Sequence, residues 1–168
     1  MTATRQYFQN ERVPLIPLPS RTPMNIKNYT STVPAMNSAA AIEKLLVEAG
    51  ATSVSKWYVE KEVAGFLFQM QVNGVPRVFR LPSDVNKVYG LFIRGKARLD
   101  AGQRLKLKAQ AGRTAWRTLH ELVQIQVAMI LLEQVDPLQV FLAYNYDEAT
   151  GQTIYDQAKA GSLKLLGA

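Results

Sequence analysis

The apolar residues between positions 38 and 50 recur at the spacing of one helix face. This spacing predicts a helix over residues 38–49, which Asn37 or Ser38 would cap and which would end at Gly50. The apolar positions of that face are Ile42, Leu45 and Leu46. From residue 53 onward the spacing becomes alternating, which indicates that the chain enters strands there.

Three alternating stretches follow, and the last two are joined by Asn73-Gly74. The stretches are residues 53–59, 63–72 and 75–81. Asn-Gly favours a two-residue hairpin turn, because both central residues need a positive φ. The predicted pairs are Val72 with Val75, Met70 with Arg77, Phe68 with Phe79, and Phe66 with Leu81. They form a core face, from which Arg77 reaches solvent near the open end of the hairpin.

Further helices are predicted after the strands. Ser83 starts a helix whose buried positions are Val85, Val88, Tyr89 and Phe92. Residues 100–102 break it, and a long helix then runs to about Val135. The remaining predicted elements are a short helix from Asp136-Pro137, a turn at residues 147–151 and a helix near residues 153–160. The predicted fold class is α+β, with a three-stranded antiparallel sheet, helices packed on one face, and then a long C-terminal helix.

The length and composition favour one folded domain behind a tail. A chain of 168 residues, 48% of them apolar, can bury a core of its own. Residues 1–23 hold four prolines and are predicted to form a Pro-rich N-terminal tail, ahead of a single α+β domain over residues 24–168. The tail is either a poorly ordered leader or a docking peptide of the PxxP type. With no cysteine and no membrane-length apolar run, the expected location is cytoplasmic.

The net charge of +7 lies within one stretch, residues 94–117. This stretch has a single acid, Asp100, while acidic and basic side chains balance over the rest of the chain. Its cations are Arg94, Lys96, Arg98, Arg104, Lys106, Lys108, Arg113 and Arg117. A local excess of cations attracts polyanions, because a ligand responds to the patch and not to the average charge. These residues are therefore the predicted nucleic-acid-binding residues.

Helical spacing from Gln103 onward divides this stretch into a core side and exposed sides. The predicted core stripe consists of Leu105, Trp116, Leu119, Val123 and Ile130. The predicted exposed cations are Lys106, Arg113 and Arg117 on one flank, and Arg104 and Lys108 on the other. Gly112 either lets another backbone approach closely or breaks the helix. A break there would turn residues 94–112 into a basic loop.

Sequence patterns typical of catalysis or of metal binding are absent. His120 is the only histidine, and its place beside the core stripe favours a structural role over that of a general base. Asp136, Asp147, Glu148 and Asp156 lack the spacing of a calcium loop or of a two-metal site. The sequence therefore predicts no catalytic residue, no metal site, no cofactor and no enzymatic activity.

The charge distribution is compatible with two classes of function. In the leading hypothesis the protein binds DNA or RNA through phosphate contacts with little sequence preference, since the basic stretch shows no set of base-reading side chains. In the alternative it is a protein-binding adaptor or inhibitor that uses charge complementarity. Residues 118–168 carry six acids against two lysines, so they could also meet the basic stretch within the chain or in a second copy. No membrane partner is expected.

Several stretches from Met24 onward resemble small uncharacterised proteins encoded by phages and other bacterial mobile elements. The stretches are MNIKNYTS, the Asn73-Gly74 hairpin leading into RLPSDVNKVYGLF, RTAWRTLHELVQIQVAMI, VDPLQVFLAY and TGQTIYD. The resemblance implies a cytoplasmic accessory role in replication, recombination, expression control or suppression of host defences, so a protein target would be a host factor. Residues 1–23 depart from the pattern, which begins near Met24.

Overall fold

The computed structural model describes residues 26–162, in which helices pack against a small sheet. The helices are α1 (Ala35–Glu48), α2 (Val85–Ile93), α3 (Ala101–Leu131), α4 (Pro137–Phe141) and α5 (Ile154–Lys159). The strands are β1 (Ala51–Val59), β2 (Glu62–Val72), β3 (Val75–Pro82), β4 (Tyr146–Asp147) and β5 (Gln152–Thr153). The predicted α+β class is confirmed. The tail predicted for residues 1–23 lies outside the described residues, and the domain boundary at residue 24 stays a prediction.

The strands β1, β2 and β3 form an antiparallel sheet in that order, and the hairpin of β2 and β3 has the predicted register. Asn73 and Gly74 take φ values of 52° and 77°, the left-handed conformation that a two-residue turn requires. The observed pairs are Val72 with Val75, Met70 with Arg77, Phe68 with Phe79, and Phe66 with Leu81. Arg77 is exposed, as predicted, but it lies close to the turn and not near the open end of the hairpin. The turn therefore decides which side of the two strands faces the core.

One face of this sheet carries the hydrophobic core. Phe68 and Phe79 stack across the two strands with ring centroids 5.2 Å apart, and Phe141 of α4 packs edge-on against Phe68 at the same distance. Phe66 meets Trp116 of α3 in a second edge-on pair at 5.8 Å. Both arrangements are favoured for aromatic rings. Further buried side chains of the core are Ile42, Leu46, Met70, Leu81, Val123 and Val127. The core thus joins the sheet to α1, α3 and α4.

The glycine at position 65 in β2 leaves room for the side chain of Trp57 in β1. A Cβ atom at residue 65 would overlap the indole ring of Trp57 and the carbonyl oxygen of Leu81. The centre of the indole ring lies 5.0 Å from the guanidinium carbon of Arg80, which is a cation–π arrangement. Position 65 therefore has to remain glycine if Trp57 is to lie flat on the sheet.

The long helix α3 lies in the middle of the chain, so its predicted position at the C-terminus is wrong. The side chain of Asp100 caps its start by accepting from the backbone N–H of Gln103 at 2.7 Å, in a reciprocal capping box. The helix is continuous through Gly112 and ends at Leu131, before the predicted end, because Glu133 has a positive φ of 56°. Helices α4 and α5 and the β4–β5 pair follow α3 and return the chain to β3.

The residues that precede α1 and α2 are not the predicted capping residues. Helix α1 begins directly after Pro34, so Ser38 is buried within the helix and does not cap it. The restricted φ of proline suits a residue at a helix start. At α2 the N-cap position belongs to Asp84 and not to Ser83, and the carboxylate of Asp84 binds Lys87 at 2.6 Å. Both helices nevertheless begin within one turn of the predicted position.

Candidate functional site

Five of the eight predicted binding residues lie together where α2 ends and α3 begins. They are Arg94, Lys96, Arg98, Arg104 and Lys106, which we call the basic end, and all five are exposed. Gly95 and Arg98 take left-handed conformations, with φ values of 74° and 55°, and so turn the chain between the two helices. The five cations are thereby confined to one short connection and the first two turns of α3.

The positive charge of the basic end is not neutralised by neighbouring carboxylates. Asp100 is the only acid in this part of the chain, and its side chain is engaged in capping α3. Within residues 26–162 none of the five cations forms an ion pair, and Arg104 donates from Nε to the carbonyl oxygen of Leu99 at 3.2 Å. The start of α3 adds the positive end of its helix dipole. This corner of the fold is therefore suited to attract anions.

Two of the predicted binding residues, Arg113 and Arg117, are engaged within the protein. Arg113 donates from Nε to the carbonyl oxygen of Ser31 at 3.2 Å, and Arg117 donates from Nε to the carboxylate of Glu121 at 3.2 Å. Both arginines are half-buried, whereas Lys106 is exposed. The exposed flank predicted for the three cations is thus wrong for the two arginines. Arg113 binds the chain ahead of α1, and Arg117 is paired with Glu121 one turn further along α3.

The residues ahead of α1 contact α3 beside the two arginines. Residues 26–34, which we call the leading segment, run across α3. The hydroxyl of Thr114 donates to the backbone carbonyl oxygen of Asn28 at 3.0 Å, and Lys27 forms an ion pair with Glu121 at 2.8 Å. Sequence analysis missed these contacts, because backbone carbonyls accept hydrogen bonds at every residue and leave no pattern in the sequence.

The eighth predicted binding residue, Lys108, lies beside acidic side chains. Its ammonium group is 3.7 Å from the carboxylate of Glu60, and its side chain is 41% exposed. A cleft of about 260 Å³ beside it is lined by Arg80 and also by three acids, Glu60, Glu62 and Asp84. Lys108 therefore contributes less uncompensated charge than the five cations of the basic end.

The core stripe predicted for α3 begins at Trp116 and not at Leu105. Its confirmed members, which are buried or half-buried, are Trp116, Leu119, Val123 and Ile130. Leu105 is 71% exposed, so the prediction is wrong for this residue. Residues 101–106 are all exposed, which shows that the first turns of α3 extend beyond the core. Leu105 consequently lies among the cations of the basic end.

A larger cleft, of about 490 Å³, lies between β3, α2 and α5. Its charged lining residues are Arg80, Lys87, Asp84 and Asp156. Lys87 is paired with Asp84 at 2.6 Å, and the guanidinium of Arg80 stacks on Trp57. Two cations and two acids leave this cleft without net charge. The basic end is therefore the stronger candidate for an anion.

His120 lies half-buried on α3 beside Arg117. Burial lowers the pKa of His120, and the guanidinium of Arg117 lowers it further, so the imidazole is uncharged at neutral pH. Its Nδ1 lies 3.5 Å from Nη1 of Arg117. No group of three or more His, Asp or Glu side chains is placed to hold a metal ion in the part of the chain that the structure describes. A structural role for His120 and the absence of enzymatic activity stay predictions.

Comparisons with known proteins identify no relative of this chain. No protein-family model, curated protein or solved structure matches the chain. Among residues 26–162, none of the helices combines the length and the apolar character needed to cross a membrane.

The contact between the leading segment and α3 should make stability depend on Glu121 in acid. Hydrogen bonds from Lys27 and Asn28 lower the pKa of Glu121. Their stabilisation is therefore present above the ordinary glutamate pKa of about 4.3, and it is lost as the pH falls through the lowered pKa. We expect the unfolding free energy of Glu121→Gln to decrease less than that of the wild type as the pH falls through this range. The difference should be less than about 1 kcal/mol, as for a surface ion pair.

The measurement is urea unfolding at a series of pH values, with Glu133→Gln as the control. Glu133 is exposed and lies in no ion pair among the described residues, so its variant should keep the wild-type pH dependence. Equal slopes for the wild type and Glu121→Gln would show that Glu121 does not anchor the leading segment.

Proposed function

We propose that the protein is a non-enzymatic accessory protein that binds nucleic acid with little sequence preference through the basic end. The observation that carries the proposal is the cluster of five exposed cations without an ion-pair partner among residues 26–162. Nucleic-acid backbones carry a dense row of phosphates, and Lys and Arg are the side chains that neutralise them. Lys108 extends the surface, while Arg113 and Arg117 support α3. The resemblance to proteins of phages and mobile elements fits this role.

Contacts at the basic end would be made to the phosphate backbone and not to the bases. The side chains between Arg94 and Lys106 that can form hydrogen bonds are the cations, Asp100 and Gln103, and the last two form the capping box. Arg and Lys can also contact guanine, but base-specific recognition requires side chains held in position against base edges. Of the five cations, only Arg104 has a side-chain hydrogen bond among the described residues. Low sequence preference follows, together with a strong dependence on salt.

The test is a titration of the folded protein with labelled single- and double-stranded DNA and RNA at several salt concentrations. Five phosphate contacts should give a log-log salt slope of about −4.5 on duplex DNA and about −3.5 on single strands. Sequences of equal length and different composition should bind with similar affinity. Failure to bind any of the four nucleic acids at low salt would reject the proposal.

A protein partner with an acidic surface is the second candidate function, and the exposure of Leu105 favours it. An apolar side chain that is 71% exposed between Arg104 and Lys106 has no role in binding phosphate. Protein interfaces, in contrast, bury apolar side chains at their centre and keep charges at the rim. Leu105→Ser should leave nucleic-acid affinity unchanged but weaken a protein complex by about tenfold, which equals 1.4 kcal/mol. A partner captured from nuclease-treated lysate that depends on Leu105 would favour this candidate.

A further inference from the structure

The second half of α3 presents an apolar face that no described part of the chain covers. Leu122, Ile125 and Leu132 are 43%, 60% and 67% exposed. Residues 122–132 contain no charged side chain. Single exposed apolar residues are normal on a protein surface, but a contiguous group of this kind marks an interaction site.

The apolar positions on this face follow the spacing of a coiled-coil seam. The four apolar residues Leu122, Ile125, Met129 and Leu132 are separated by three, four and three residues, and the polar Thr118 precedes Leu122 by four. In a heptad repeat this spacing keeps one narrow stripe facing a partner helix. The opposite side of α3, with Trp116 and Val123, is already buried in the core of the protein. The helix therefore has two apolar stripes, and only the inner one has a partner within residues 26–162.

The open part of the face is bounded by the leading segment. Thr114 is buried under Asn28, whose side-chain amide also donates to the hydroxyl of Thr118 at 3.3 Å. Beyond the ion pair of Lys27 with Glu121, the described residues leave the face open as far as Leu132. Eleven helical residues span about 16 Å, so the open face is short.

We propose that this face binds the same face of a second copy, with the two α3 helices antiparallel and a two-fold axis near residue 127. A self-complementary stripe closes a dimer when the same patch is used on both copies. Ile125 then packs against Met129 of the partner subunit, and Leu122 packs against Leu132 of the partner subunit. The uncharged stretch of residues 122–132 meets itself without charge repulsion.

The antiparallel direction follows from the basic ends and the leading segments. A parallel pair would bring the two basic ends side by side and would press two leading segments together over Thr114 and Thr118. In the antiparallel pair the start of α3 lies about 39 Å from the two-fold axis, since 26 residues rise by 1.5 Å each. The two groups of five cations are then far beyond a Debye length of about 8 Å at physiological salt. This dimer does not depend on what the basic end binds.

The short face predicts a weak, concentration-dependent dimer. Interfaces well below about 1,200 Å² are typical of transient complexes, and a face 16 Å long provides no more than this. Sedimentation velocity of the full chain should therefore show dimers that dissociate on dilution. Ile125→Glu buries a carboxylate at the centre of the seam and should raise the dissociation constant at least about tenfold. The matched control is Val47→Glu on α1, which should leave the dissociation constant unchanged, because Val47 is 57% exposed and lies outside both the seam and the basic end.

The direction of the pair is tested by disulfide formation, which is specific here because the chain has no cysteine. Ile125→Cys and Met129→Cys chains are mixed and oxidised under mild conditions. The antiparallel pair predicts an excess of mixed over homodimeric disulfides, whereas homodimeric disulfides in excess would overturn the proposed direction. A full chain that stays monomeric at all concentrations would overturn the dimer. In that case the rate at which a thiol reagent labels the cysteine of Ile125→Cys reports on the face. Slow labelling would show that another part of the same chain covers the face, and fast labelling would show that the face is open.

Discussion

Phe141→Ala should lower the free energy of unfolding by about 3–5 kcal/mol, which is the usual cost of removing a buried Phe side chain. The ring of Phe141 is fully buried and lies 5.2 Å from Phe68 and 5.8 Å from Phe79. It is the main apolar link between α4 and the sheet, so its loss leaves a cavity under two aromatic rings. A typical domain is stable by only about 5–15 kcal/mol, which makes this a large fraction of the total.

The matched control is Leu142→Ala at the next position in the chain. Leu142 is 48% exposed, so its truncation should cost less than about 1 kcal/mol. Urea unfolding followed by tryptophan fluorescence measures both variants. If Phe141→Ala is too unstable to purify, Phe141→Leu leaves a smaller cavity and should show an intermediate loss. Equal stability of Phe141→Ala and Leu142→Ala would show that α4 is not part of the core.

Short-range signals made the sheet predictable from the sequence. The Asn73-Gly74 turn has one favourable geometry, and that geometry determines every pair between β2 and β3. Asp136-Pro137 predicted the start of α4 for the same kind of reason, since the aspartate caps the helix and the proline suits its first turn. In each case two adjacent residues restrict the backbone strongly enough to decide the local structure.

Features that depend on distant packing were not predictable. Helical spacing assigned Leu105 to the core, but it could not show that no residue among 26–162 packs over the first turns of α3. Spacing likewise placed Arg113 on an exposed flank. Its hydrogen bond to the carbonyl oxygen of Ser31 could not be foreseen, because a backbone carbonyl leaves no trace in the pattern of apolar residues. The role of Gly65 was also hidden, since only the folded sheet brings Trp57 over it.

The same limits apply to the candidate site. The charge excess of residues 94–117 was visible in the sequence, yet exposure and ion pairing divide it into two functional groups. Five cations are exposed at the basic end, whereas Lys108, Arg113 and Arg117 have partners within the chain. A charge count therefore located the region and overestimated the number of residues available to a ligand.

Replacing all five cations of the basic end with Gln should abolish salt-dependent binding of nucleic acid. With five phosphate contacts, the wild type should lose affinity by about 500-fold between roughly 50 and 200 mM salt, while the variant should lose less than about tenfold. The melting temperature should stay close to that of the wild type, because these side chains are exposed and none is in an ion pair among the described residues. Fluorescence anisotropy and thermal unfolding provide the two readouts.

A second variant with the same change in net charge tests whether binding requires the basic end or only the overall positive charge of the protein. Its five positions are Lys44, Lys61, Arg77, Lys87 and Lys159, which are also exposed and lie on α1, the β1–β2 turn, β3, α2 and α5. Because exposed charges are screened beyond a Debye length of about 8 Å, these changes should leave most of the affinity and of the salt slope intact. If both variants lose affinity equally, nucleic acid is attracted by the overall charge of the protein, and the basic end is not a site.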